Sequence, residues 1–223
     1  MVIVGESMSD RTNCDLPKID TSDFEYTLSD AELMRFYSNR PAFVSLVNQI
    51  VIELKLQGHI EHLNICSPAH CRDRLYRDRE NPWPSKNLCL DIYTNKYMDE
   101  RLLRHELGHE ADRRNPDMLY DPTIEKRWRG QDFWILEIAA NISLDARLGD
   151  GGLGKKKRRK EFCQNFGKEY DSFFEGVWAN APTTWPTIEA LSSKLSKMLP
   201  GNIQGQSSAP GRSKHRVCSS KDE

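Results

Sequence analysis

Residues 134–148, WILEIAANISLDARL, restrict the possible folds more than any other stretch of the chain. Read as a helix, the segment is apolar over most of its circumference and carries one polar stripe, Glu137, Asn141 and Asp145, at every fourth residue. Leu136, Ala140 and Leu144 flank the stripe on one side, Ile138 and Ile142 on the other. A stripe between two apolar flanks should point inward, where a carboxylate is costly unless it is paired or bound to metal. The pattern asks for a cation. A metal ion would serve, and so would an arginine such as Arg113 or Arg114; a stripe facing water would need neither.

The helix expected just before it, Met98 to Arg114, contains His-Glu-Leu-Gly-His at 105–109. Histidines four residues apart stand one above the other, about 6 Å apart along a helix axis, so both rings can reach one ion from the same side. Zinc suits two imidazole nitrogens, and a hydrolytic site adds one protein ligand and leaves one position open. Glu106 is angled toward that open position, where a general base is wanted. Leu103, Leu107 and Ala111 form an apolar stripe about half a turn from His105, His109 and Asp112, so the histidines are not part of the greasy face. Gly108 costs about 1 kcal/mol against alanine inside a helix, which predicts a close neighbouring backbone beside the site.

The strand-like NLCLDIYTN at 87–95, the helix RHELGH and, 28 residues past His109, Glu-Ile-Ala-Ala-Asn at 137–141 together resemble the gluzincin metallopeptidases. They are more closely similar to the ImmA/IrrE-like group, whose second motif has the form Glu-x-x-Ala-Asn. The resemblance covers roughly residues 88–148. It implies that His105, His109 and Glu137 bind zinc, that Glu106 is the base and that Asn141 supports the ligands from behind. It also implies an α+β fold, a mostly helical zincin-like minimal metallopeptidase with a small mixed β-sheet, acting on a protein or peptide substrate. Of the two carboxylates on the stripe, Glu137 fits the motif and has the longer reach between packed helices about 8–10 Å apart. Asp145 is then expected to accept a hydrogen bond from a ligand or to pair with an arginine.

The remaining sequence sets the frame. The chain has 223 residues, enough for one domain with a core, and its 38% hydrophobic and 29% charged content is that of a soluble globular protein. A net charge of -1 makes no global claim on nucleic acid or membrane. The start, MVIVGESMSDR, lacks the features of a secretory leader, and no window reaches the roughly 18 apolar residues of a membrane span. Six cysteines, at 14, 66, 71, 89, 163 and 218, are too scattered for a disulfide framework, so the reading is a cytoplasmic protein with reduced thiols. Cys66, His70, Cys71 and Cys89 are possible ligands for a second zinc but lack paired Cys-x-x-Cys spacing, and they are read as partly buried thiols.

Three segments are expected: a flexible 1–24, the metallopeptidase domain at 25–199 and a disordered tail from 200 to 223. Within the domain a capping box at Ser29–Glu32 opens a helix that should break at Asn39-Arg40-Pro41, with a second helix from Pro41 to Gly58. Strands are expected at 60–65 and 87–95, and helices at 132–148, 161–178 and 187–199. The glycine-rich DGGLG followed by KKKRRK at 155–160 reads as a solvated basic loop that could contact phosphates. Zinc-dependent peptide hydrolysis is the leading functional expectation. The competing one is a non-catalytic zinc-binding regulatory protein, associated with nucleic acid through the basic run.

Overall fold

The computed structural model describes residues 15–21, 30–66, 86–91 and 100–199. The elements, in order, are β1 (Lys18–Asp20), α1 (Asp30–Glu53), β2 (His62–Cys66), β3 (Asn87–Asp91), α2 (Glu100–Arg114), α3 (Ile124–Arg127), α4 (Gly130–Leu148), α5 (Lys155–Phe166), α6 (Asp171–Asn180) and α7 (Trp185–Met198). The fold is mostly helical with a small sheet of order β1-β2-β3. Both pairings are parallel, with Ile19 opposite Leu63 and Leu63 opposite Leu88, so among the described residues the sheet is not the mixed one expected. The connections explain this: α1 lies between β1 and β2, and the link from β2 to β3 is far longer than a hairpin turn.

Four local expectations are corrected. The helix does not break at Pro41; α1 runs through it. Beyond the proline, Phe43, Val47, Ile50 and Val51 are fully buried along one face, and that burial carries the helix on. Before it, Ser38 and Asn39 both donate to the Arg35 carbonyl, at 3.0 and 2.9 Å, in the turn the proline weakens. Lys18–Asp20 lies inside the stretch read as irregular yet pairs as an edge strand. The basic run 155–160 is no loop but the first half of α5, and the helical pattern read at 161–178 is two helices, α5 and α6.

The apolar residues form three clusters. The first packs α1 and α2 on the sheet, through Phe43, Ile50, Leu63, Leu103 and Leu107. A second joins α4 to α5, α6 and α7 through Ile135, Ile142, Phe162, Phe174 and Leu195. The third sets α3 and the other side of α4 against α7, through Ile124, Leu136, Ala140 and Ile188. The flanks of the α4 stripe therefore enter different clusters, Leu136 and Ala140 one, Ile138 and Ile142 the other. The stripe between them faces α2.

No helix among the described residues is long and apolar enough to cross a membrane. Cys163 is free and partly buried. Cys66 and Cys89 lie on adjacent strands, opposite Asp91 and Asn64. Residues 1–14, 22–29, 67–85, 92–99 and 200–223, and with them Ser29, His70, Cys71 and the end of the strand expected at 87–95, lie outside the described residues.

Gly108 has the reason its position predicts, though the neighbour is a side chain rather than backbone. A Cβ there would stand 2.9 Å from Leu144 Cδ1, so the glycine lets α4 close on α2. In an exposed helix Gly→Ala stabilises by about 1 kcal/mol. Here overpacking of about 1–3 kcal/mol opposes that gain. Gly108→Ala is expected to lower the urea midpoint, and adding Leu144→Ala to recover part of the loss relative to the sum of the singles. A stabilised Gly108→Ala protein would show that the two helices do not approach as described.

Candidate metal centre

The seam between α2 and α4 is polar where it might have been apolar. Successive turns of the two helices meet in antiparallel register: His105 with Asp145, Gly108 with Leu144, His109 with Asn141. Asp145 is completely buried and His105 nearly so. His105 Nδ1 lies 3.0 Å from Asp145 Oδ1. An ionised carboxylate only accepts, so Nδ1 is the donor, and in a neutral ring the lone pair is then at Nε2. That Nε2 is 3.2 Å from Nε2 of His109, whose ring stands nearly perpendicular at 81°.

Two further groups complete the cluster. Asn141 Oδ1 lies 2.8 Å from His109 Nε2. Arg158, on α5, binds Asp145 Oδ2 through Nε and Glu161 Oε2 through Nη1 at 2.8 Å. Its Nη2 is 2.9 Å from Nε2 and 3.2 Å from Nδ1 of His105. With Nδ1 donating to Asp145, Nε2 accepts from the Arg158 guanidinium as well as facing His109. The Leu153 backbone N–H adds a third donor to Asp145, at 3.0 Å to Oδ1.

The electrostatics follow from burial and these partners. Burial pushes the Asp145 carboxyl up, but the hydrogen bond from His105 and the charges of the ring and Arg158 outweigh it, holding the group well below the ordinary carboxylate range. Burial lowers His109 well below the usual histidine value; neighbouring His105, Arg113 and Arg158 add to this, and the Asn141 contact opposes it. His109 is therefore neutral at physiological pH; because Asn141 Oδ1 only accepts, Nε2 of His109 carries the proton here, and a metal at that nitrogen would require the tautomer with the proton on Nδ1.

The cation that the α4 stripe asks for is thus met at Asp145 by an arginine. It is neither Arg113 nor Arg114, which both pair with Glu110, at 2.6 and 3.3 Å. Asp112, on the polar side of α2, is held by Arg147 at 2.7 and 2.5 Å. Glu137 is one turn before Asn141 on the stripe and half-buried, level with position 113 in the antiparallel register rather than with the histidines. Among the described residues no three His, Cys, Asp or Glu side chains gather closely enough to form a metal-holding group. Glu106 follows His105 on α2 and is half-exposed. Tyr120 packs edge-on against Trp185 at 5.0 Å.

A cavity of about 40 Å³, bounded by Ile138, Asn141, Arg158, Glu161, Phe162 and Asn165, adjoins the cluster. It has room for water and not for a peptide side chain. A larger groove of about 840 Å³ runs along α1 between Tyr37, Val44, Asn48 and Ile52 and touches none of the cluster residues. No protein-family model, curated protein or solved structure matches the chain.

The residue missed from sequence is Arg158. The signal was present: Arg158, Phe162 and Phe166 recur every four residues, and the two phenylalanines are buried. The short glycine-rich link also forces α5 back beside the end of α4. Gly152 lies so close that a Cβ would meet the Asp145 backbone at 3.1 Å.

Removing one member of a buried ion pair is costlier than removing both, because the remaining charge is stranded. Asp145→Ala is expected to lose about 3–5 kcal/mol in chemical denaturation. Adding Arg158→Met should cost less than the sum of the two singles. Additive effects would show that the pair is not coupled.

Proposed function

We propose that the chain is a zinc-dependent peptidase whose metal is held by Nε2 of His105 and His109. The carrying observation is the pair of Nε2 atoms facing each other at 3.2 Å, with Nδ1 of His105 against a buried carboxylate. Two nitrogens bound tetrahedrally to zinc at about 2.0–2.1 Å stand about 3.3 Å apart, so the pair fits one ion. A carboxylate behind a ligating imidazole is the usual means of fixing its tautomer and orientation. The zincin-like fold and the gluzincin family are part of this proposal, as is a reducing, cytoplasmic setting.

When bound, zinc supplies a Lewis acid that acidifies water and polarises a carbonyl. The chain's own groups supply the rest. Asp145 holds His105, Gly108 allows α4 close, and burial keeps His109 neutral. Glu106 takes a proton from the attacking water and delivers it to the leaving amine. The third protein donor comes from the α4 stripe. Glu137 has the charge that a divalent ion favours and must reach back one turn, about 5.4 Å, to serve. Asn141 is the oxygen already level with His109.

A second reading has an observation of its own. Arg158 satisfies Asp145 without metal, so the cluster can serve as a joint that fastens α2, α4 and α5 together. A nucleic-acid role for the basic run would fall to Lys156, Lys157 and Lys160, which are exposed; Lys155 pairs with Glu175 and Arg159 with Asp171 and Glu175.

Glu106→Gln is expected to bind one zinc per chain like the parent and to lose peptidase activity on unfolded protein substrates by about 10²–10⁴-fold. His109→Ala is expected to lose the zinc and to melt at the same temperature with and without added metal. A parent protein that takes up no zinc and melts alike with zinc or chelator would leave the metal-free joint as the correct reading. For the third ligand, zinc affinity is expected to fall far more in Glu137→Ala than in Asp145→Asn, which loses only the support behind His105. A loss confined to Asn141→Ala would give the place to the amide.

A further inference from the structure

We propose that Arg158 sets the metal affinity of the histidine pair, acting as a fixed cation that weakens zinc binding and makes occupancy depend on the local zinc level. The inference rests on the zinc reading above and concerns a residue outside the HExxH helix and the stripe helix. Three observations carry it. The guanidinium is clamped on two sides, by Asp145 at Nε and by Glu161 at Nη1, so it cannot easily swing away. Its third nitrogen is hydrogen-bonded at 2.9 Å to Nε2 of His105, the atom that would meet the metal, and so competes with it for the lone pair. It also shares Asp145, the carboxylate that makes His105 a better donor.

Two effects then act in the same direction. A positive charge beside the ligand nitrogen repels a divalent ion, and because the site is buried, solvent screens that repulsion weakly. Asp145, drawn toward the guanidinium, gives less electron density to His105 and so reduces its strength as a ligand. Glu161 works against both, because its charge partly neutralises the arginine. Arg158 is thus a positioning residue that tunes the pair. The balance among Arg158, Asp145 and Glu161 gives the site an affinity below that of two well-supported imidazoles.

The test is zinc affinity of the full chain, measured by competition with a chromophoric chelator, with melting curves to confirm that each variant is folded. Arg158→Gln removes the charge and is expected to tighten zinc about 10–100-fold, the usual size of an effect from a group behind a ligand. Arg158→Lys keeps a charge there and is expected to stay within a few-fold of the parent. Glu161→Gln changes a half-exposed side chain and should not threaten folding, yet it leaves the arginine less neutralised and is expected to weaken zinc several-fold. Equal or weaker binding by Arg158→Gln in a folded protein, or no change in Glu161→Gln, would overturn the inference while leaving the zinc site in place. No binding by the parent or by any variant would overturn the zinc reading itself, and this inference with it.

Discussion

Asp145 has no exposure at all and is charged, and the arrangement of three helices follows from the way that charge is satisfied. Its donors come from α2 through His105, from α5 through Arg158 and from the connecting loop through Leu153. A stranded carboxylate in this position would cost several kcal/mol, enough to use up much of a typical domain's stability. Apolar clusters on either side of α4 supply the bulk of the burial, but apolar contact is not directional. The hydrogen bonds at Asp145 fix how far along and at what rotation α2 and α5 meet α4.

The same constraint underlies the proposed metal site. Because Asp145 accepts the hydrogen bond from Nδ1–H of His105, Nε2 is the ring nitrogen left to face the next turn, where the helical repeat sets His109. Gly108 permits the approach, since its missing side chain is replaced by Leu144 of α4. The outcome is two imidazole nitrogens facing each other in a part-buried seam, with Glu106 next to His105 on the same helix. On the proposed zinc reading, structural and functional demands fall on one set of residues, so substitutions there are judged by metal affinity and by stability separately.

Much of this was legible from residue spacing. Two helices with facing polar stripes, the inward direction of Glu137, Asn141 and Asp145, and the need for a close neighbour at Gly108 all follow from a period of about 3.6 and the cost of burying charge. Spacing does not fix the register between two helices, however. The expectation that Glu137 stands level with the histidines depends on that register, and the observed pairing sets Asn141 and Asp145 there. Arg158 was hidden by its surroundings: six adjacent cations after a glycine run look like a solvated loop, while the buried Phe162 and Phe166 one and two turns later make the run helical. Pro41 misled for a similar reason, because local propensity was outweighed by the buried face that follows it. The parallel pairing of β1 rests on contacts distant in sequence, which no local pattern reports.

The central claim is that the facing imidazoles of His105 and His109 bind zinc. X-ray absorption at the zinc edge, on the full chain loaded with one equivalent of zinc, tests it most directly. The account predicts a first shell of nitrogen and oxygen only, near 2.0–2.1 Å, with the outer-shell scattering of two imidazoles, which is lost in His109→Ala. A shell with sulfur near 2.3 Å would place the metal on the cysteines, and a zinc-edge signal unchanged by the His109 substitution would contradict the assignment.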